Sequence, residues 1–252
     1  MSFLKNIIVA CLLFFGTVIS LAQKAKMSEI YEGNVFHIAL SYGYQLPLAD
    51  MKDIYGNNFN VGLSFEDQLK NNYLFGLEGQ FLFGKNVKPD VLINLKDDQG
   101  IIYGNDKTYG SVVLRERGWY IQAYAGKIIP LNNPRSGVKL KLGAGYFQHK
   151  IRLQDDLNTI NQIKAEYRKG YDRLTFGLGL SPYVGYQYIS NDKRINYNIG
   201  IESIIGLTEG RRDYQFDTMS TFRSKRLDVV IGIKAGWILP FFTDVPAESY
   251  YY

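Results

Sequence analysis

His37 and Ser41 are the first residues in the chain that could do nucleophilic chemistry together, an imidazole base and a hydroxyl. Both fall on one side of an alternating stretch. Four positions along an extended strand is roughly 13 Å, too far for the base to take the hydroxyl proton. The pair is not a dyad. His149 precedes Asp155, Asp156 and Asp172. Such a set can activate water at a rim, but the simpler expectation is a histidine at the level of lipid headgroups. Asp97-Asp98-Gln99-Gly100 and Gly104-Asn105-Asp106 offer carboxylates, but not at the spacing of a helix-loop-helix calcium loop. Solvated turns are expected there. The single cysteine, Cys11, lies in an apolar leader, and there are two histidines in all. Disulfides, thiolate metal sites, a cysteine nucleophile and a His-rich metal site are therefore not expected in the mature chain. No catalytic, cofactor or metal-ligating set is assigned.

Eight other charged residues share a pattern. Glu66, Glu78, Lys139, Lys141, Glu202, Arg226, Asp228 and Lys234 sit on the polar side of alternating segments, and the acids and bases come from different segments. If those segments surround a narrow low-dielectric interior, an unpaired charge there is costly, so the eight are expected to pair across it as a plug. A gated solute or proton path is the alternative. Arg115, Glu116 and Arg117 are expected at a headgroup boundary.

The elements that would position these residues are strands. The chain holds 20 Tyr, 15 Phe and 25 Gly against 7 Pro, a balance that suits β-structure with closely approaching backbones. Residues 1–22 read as a secretory leader: Lys5, an apolar run from Ile7 to Ile19, then Ser20-Leu21-Ala22. Beyond it no run of 18 apolar residues exists, which excludes a helical membrane span but not a barrel. The net charge of +5 becomes +4 without Lys5 and is dispersed, so nucleic acid is not an expected partner.

Period-two alternation recurs eight times. Bulky faces such as Phe36-Ile38-Leu40-Tyr42-Tyr44-Leu46, Leu174-Phe176-Leu178-Leu180 and Leu227-Val229-Ile231-Ile233 oppose faces of Gly, Ser, Asn, Gln and single charges. The fourth segment is less regular, with Trp119, Ile121, Ala123 and Ala125 placed outside. The segments are long enough to cross a bilayer at a tilt, and the small polar face fits the crowded interior of eight strands. Connections alternate in length. Leu69 to Asn72, Pro130 to Ser136 and Ser190 to Arg194 are short. Pro47 to Asn58, Lys85 to Gly118, Leu153 to Asp172 and Thr208 to Lys225 are long. The expected fold is an all-β, eight-stranded antiparallel up-and-down transmembrane barrel over 35–241. A periplasmic lead (23–34) precedes it and a periplasmic aromatic tail (242–252) follows. Tyr42, Tyr44, Tyr73, Tyr186, Tyr188, Trp237 and Phe241 are expected in two interfacial girdles. The tail ends in Tyr250-Tyr251-Tyr252, which suits an assembly signal or a docking peptide.

Gly43-Tyr-Gln-Leu-Pro-Leu-Ala-Asp50 followed by Asn57-Asn-Phe-Asn-Val-Gly62 resembles the opening hairpin of small outer-membrane barrels of Bacteroidetes, the PorT-like group included. Lys141-Leu-Gly-Ala-Gly-Tyr-Phe-Gln-His149 and Gly232-Ile-Lys-Ala-Gly-Trp-Ile-Leu-Pro240 carry the same likeness. The resemblance implies a bacterial outer-membrane location and a non-catalytic accessory role, the PorT-like barrels serving protein secretion of the type IX kind. The absent catalytic set, the filled interior and the aromatic tail suit a subunit of a secretion or outer-membrane assembly machine. Outer-membrane lipid, lipopolysaccharide and a larger envelope complex are the expected partners. Passage of a small hydrophobic solute or lipid is the alternative function, and a lipid-modifying or proteolytic rim enzyme is the second alternative.

Overall fold

The structure, a computed structural model, describes residues 33–105, 108–131, 133–190 and 194–242. The leader, the lead apart from Gly33 and Asn34, and the tail apart from Phe242 lie outside the described residues. Eight long strands form a closed antiparallel barrel in the order β1-β12-β9-β8-β7-β6-β3-β2. They are β1 (Val35–Ala49), β2 (Asn58–Gln68), β3 (Tyr73–Gly84), β6 (Val112–Leu131), β7 (Asn133–Asp155), β8 (Thr175–Ile189), β9 (Asn196–Gly210) and β12 (Lys225–Phe242). Short ribbons β4 (Ile102–Tyr103) with β5 (Tyr109–Gly110), and β10 (Arg212–Gln215) with β11 (Ser220–Phe222), lie in the long connections. The first and last long strands pair from Val35↔Phe242 to Ala49↔Asp228, which closes the ring. Closure pairs every strand edge, the condition for strands to sit in lipid, where an unpaired backbone group costs several kcal/mol.

The strands run further than the alternation alone indicates. Pro47, expected in a loop, sits opposite Val230 within β1. β6 and β7 pair from Val112↔Asp155 down to Leu131↔Asn133 and so take in residues expected in connections at both ends. Pro47 is a tertiary-amide residue that turn statistics push toward loops, yet within β1 it needs no strand-forming side chain, only its neighbours' pairing. Asn72 takes the left-handed conformation, φ 65°, that the tight β2–β3 turn needs and that asparagine tolerates.

The outward face is apolar between two aromatic rings. Toward the long connections, Tyr44–Phe59 (5.4 Å), Phe59–Phe83 (6.1 Å), Phe81–Trp119 (4.7 Å) and Tyr146–Phe176 (5.6 Å) are in ring contact. Toward the short turns, Phe36 meets Phe65 and Phe241, and Tyr188 meets Tyr197 at 5.4 Å. Phe36 and Tyr44 are eight positions apart on β1. That is about 27 Å along the strand, or about 20 Å along the axis at the usual barrel tilt. Between the rings the outward positions of the described strands carry no charge; the first charges beyond them are Asp67 and Lys127 at the turn end and Arg117, Lys150 and Glu209 at the loop end.

The long connections fold onto the barrel mouth as a cap. Met51, Ile54 and Tyr55 from the first, Val91, Leu92 and Ile102 from the second, Ile160, Ile163 and Tyr171 from the third and Phe222 from the fourth join one apolar cluster. Inward Leu82, Tyr120, Phe147, Ile151, Leu153, Ile204 and Val230 complete it from below. The second connection keeps an exposed turn at Asp98, Gln99 and Gly100, where solvated turns were expected, and also supplies core residues. Its polar tips hid the short apolar pairs, Val91-Leu92 and Ile101-Ile102, which are too brief to show a period.

Candidate functional site

The alternation turns every second residue of each strand into the lumen, where the charged side chains fall into three tiers. Nearest the short turns, Lys139 Nζ on β7 donates to Glu66 Oε1 on β2 at 2.7 Å and to Gln187 Oε1 on β8 at 3.0 Å. His37 Nδ1 lies 3.2 Å from the same Glu66 oxygen, and the Tyr124 hydroxyl donates to Glu66 Oε2 at 3.0 Å. Ser41 bonds instead to the Gly62 carbonyl, 3.4 Å away, so His37 and Ser41 are on separate partners.

The middle tier is a four-charge ring. Lys141 Nζ donates to Glu78 Oε2 at 2.7 Å and lies 3.7 Å from Glu202 Oε1. Lys234 Nζ bonds Glu78 Oε1 and both oxygens of Glu202, at 3.1 and 3.0 Å. Gln80 Nε2 adds a bond to Glu202 Oε2 at 2.9 Å and Gln122 Nε2 one to Glu78 Oε2 at 3.1 Å. The Lys141 ammonium also stands 4.5 Å from the Tyr124 ring centroid and 5.0 Å from that of Tyr183. Two acids and two bases cancel, and the carboxylate oxygens are saturated by donors, the arrangement buried ions require. The space left between the two lower tiers is a cavity of 20 Å³ lined by residues that include Ser41, Glu78, Tyr124, Lys139, Lys141, Tyr183 and Lys234. That is about the room one water needs.

The upper tier holds Asp228. Its Oδ2 accepts from Thr208 (2.5 Å) and lies 2.9 Å from His149 Nε2, and Arg226 Nη2 donates to Oδ1 at 3.1 Å. His149 was expected at the lipid headgroups, and that is corrected: it is fully buried, edge-on to the Tyr55 ring at 5.4 Å. The reason is the β7 parity that already turns Lys139, Lys141 and Gly143 inward; carried on without a break, it turns Phe147 and His149 inward as well. The nearby carboxylates are engaged elsewhere. Asp172 is clamped by Arg212 Nε (2.7 Å) and Nη2 (2.5 Å), Asp155 accepts from the Ile160 N–H at 2.9 Å, and Asp156 accepts from Gln154. The Asp97 carboxyl closes its own turn on the Ile101 and Gln99 N–H groups, which with Tyr103 hold it below its ordinary value. Among the described residues no cluster of three His, Asp or Glu side chains is arranged for a metal ion.

Residues singled out late by the structure are inward-facing and uncharged or were placed elsewhere. Glu116 was expected at the boundary with Arg115 and Arg117. It points into the lumen and is fully buried; Asn58 Nδ2 donates to its Oε1 at 2.8 Å and its Oε2 has no partner. Arg135 reaches from the β6–β7 hairpin to the Leu69 carbonyl at 2.8 Å, tying two short turns together. Strict parity along β6 from Trp119 would have found Glu116, Tyr120, Gln122 and Tyr124. Tyr250, Tyr251 and Tyr252 lie outside the described residues.

No protein-family model matches the chain, and no curated protein matches it. Solved structures similar to it include Neisserial surface protein A, at 15% identity over 83% of this chain and 100% of that one, with a TM-score of 0.43. Ail, the attachment invasion locus protein of Yersinia pestis, is 12% identical over 82% of this chain and 99% of its own, with a TM-score of 0.38. The N-terminal β-barrel domain of Pseudomonas aeruginosa OprF is 10% identical over 82% and 98%, with a TM-score of 0.35.

Proposed function

We propose that this chain is a plugged outer-membrane barrel that serves as a non-catalytic interaction subunit of an envelope machine, with the short turns and both termini of the barrel on the periplasmic side. The observation that carries it is the combination of an uncharged outer belt with a lumen closed twice, by the paired tiers and by the apolar cap. The belt suits lipid and the plug suits no solute path. Both histidines are buried against carboxylates, away from any surface substrate. What remains exposed to partners is the cap, where Tyr109, Tyr167, Leu157 and Met219 are each more than half exposed. Secretion of the type IX kind is the setting that the sequence resemblance favours, barrel assembly is the other, and the Tyr250–Tyr252 tail is a second contact, on the periplasmic side.

The test has two arms. Reconstituted in planar bilayers, the protein should give no steady conductance. In native membranes, photo-crosslinkers at Tyr109 and Tyr167 should give discrete adducts with an envelope protein, and deletion of residues 248–252 should weaken that complex. Stable ion-conducting steps, with no adduct at either position, would point to a passage function instead.

A further inference from the structure

Some cations at the loop end have a carboxylate: Arg173 pairs with Asp217, Arg212 with Asp172, Arg211 with Glu209, Arg223 with Asp213 and Lys169 with Glu166. Others do not, and four of these share one patch. On β6 and β7, Arg115 sits opposite Arg152 and Arg117 opposite Lys150, all on the outward face. Like charges directly across a strand pair repel. Among the described residues no carboxylate lies within ion-pair distance of any of the four. Their fixed contacts are neutral: Arg115 Nε donates to Gln154 Oε1 at 2.8 Å, Arg117 Nη1 donates to the Glu116 carbonyl at 2.6 Å, and Arg117 lies over the Phe81 ring at 6.0 Å. These contacts orient guanidinium groups while leaving donors free.

The place of the cluster decides what can neutralise it. Two positions below Arg117 on the same face is Trp119, half exposed and in tilted ring contact with Phe81; Ile121 and Tyr146 lie opposite each other below that, and Leu142 further down. The four cations therefore stand on the upper edge of an apolar wall. An anion bound here has lipid-compatible surface directly beneath it. Arginine's planar fork matches phosphate oxygens two at a time.

We infer that Arg115, Arg117, Lys150 and Arg152 form a binding site for the phosphate-bearing headgroup of an anionic outer-leaflet lipid, whose acyl chains lie along the Trp119–Ile121–Tyr146–Leu142 wall. The site rests on the proposed outer-membrane reading and adds to it a fixed lipid at one face of the barrel.

The full chain, extracted in mild detergent and reconstituted in phosphatidylcholine nanodiscs, is to be examined by native mass spectrometry. The probes are bis-phosphorylated lipid A, the same glycolipid with its phosphates removed, and inorganic phosphate alone. The phosphorylated lipid should be retained at least about tenfold better than the dephosphorylated one, the scale that several cations near a lipid surface supply. The combined Arg115→Gln, Arg117→Gln, Lys150→Gln, Arg152→Gln variant should lose that preference, while Lys169→Gln with Arg223→Gln on the cap should keep it. Because the four side chains face outward, the variant should keep the heat-modifiable gel mobility of the folded barrel. Equal retention of the two lipids by the inserted wild-type protein, or full displacement of lipid A by inorganic phosphate, would overturn the site while leaving the membrane reading intact. Failure of the wild-type chain to enter nanodiscs at all would overturn both.

Discussion

At the scale of single residues, the buried acids are not equivalent. Glu66 accepts from Lys139 and Tyr124, with His37 beside it, whereas Glu116 has one amide donor and an unpartnered oxygen. Removing one member of a satisfied buried pair leaves its partner stranded and costs about 3–5 kcal/mol; removing a buried charge that has no counter-ion costs little or stabilises. Glu66→Gln should therefore lower the urea midpoint of the barrel in lipid vesicles, and Glu116→Gln should leave it unchanged or raise it. Trp119 and Trp237, both outward, report the transition by fluorescence. Equal losses for the two variants would contradict the tiered pairing. Which side of the wall a charge faced was legible in the sequence wherever the alternation was clean. Glu116 and His149 were misplaced because each lies in the loop-side part of its strand, where the parity has to be carried on past the clean alternation.

At the scale of elements, the sequence showed eight strands and the rhythm of their connections, because period two and turn residues are local signals. It did not show the cap, because a cap is made of pairs of apolar residues from four separate loops that meet only after the barrel closes. Two glycines test how tightly the strands pack inside. A Cβ at Gly143 would run into the Gln122 side chain and the Ser181 hydroxyl, whereas a Cβ at the outward Gly79 meets nothing within 4 Å. Overpacking a filled interior costs about 1–3 kcal/mol or prevents closure. Gly143→Leu should abolish the heat-modifiable folded band after refolding, and Gly79→Leu should preserve it; the reverse order would contradict the assigned faces. Ile160 is wholly buried under the cap. Ile160→Ala should loosen it by about 2–5 kcal/mol and open Lys164 and Arg168 to trypsin while the barrel itself stays resistant. Unchanged cleavage would mean that the loops are not held by this core.

At the scale of the whole molecule, the described residues form a cylinder greasy on the outside, ionic within and lidded at one end. Each property follows from one sequence device: a bulky outward set, a polar inward set with charges of both signs, and loops long enough to fold back. Only the outward set was fully readable in advance, because lipid facing requires an uninterrupted run, whereas pairing inside depends on strand register. The most direct test is therefore the depth profile of the outer wall. Spin labels placed singly at Leu140, Leu142, Ala144, Tyr146, Lys150 and Arg152 on β7, in the reconstituted protein, should give oxygen accessibility that peaks at Leu142 and Ala144. Accessibility to a water-soluble relaxing agent should appear only from Lys150 onward. Water accessibility along the whole series would contradict a membrane-spanning barrel.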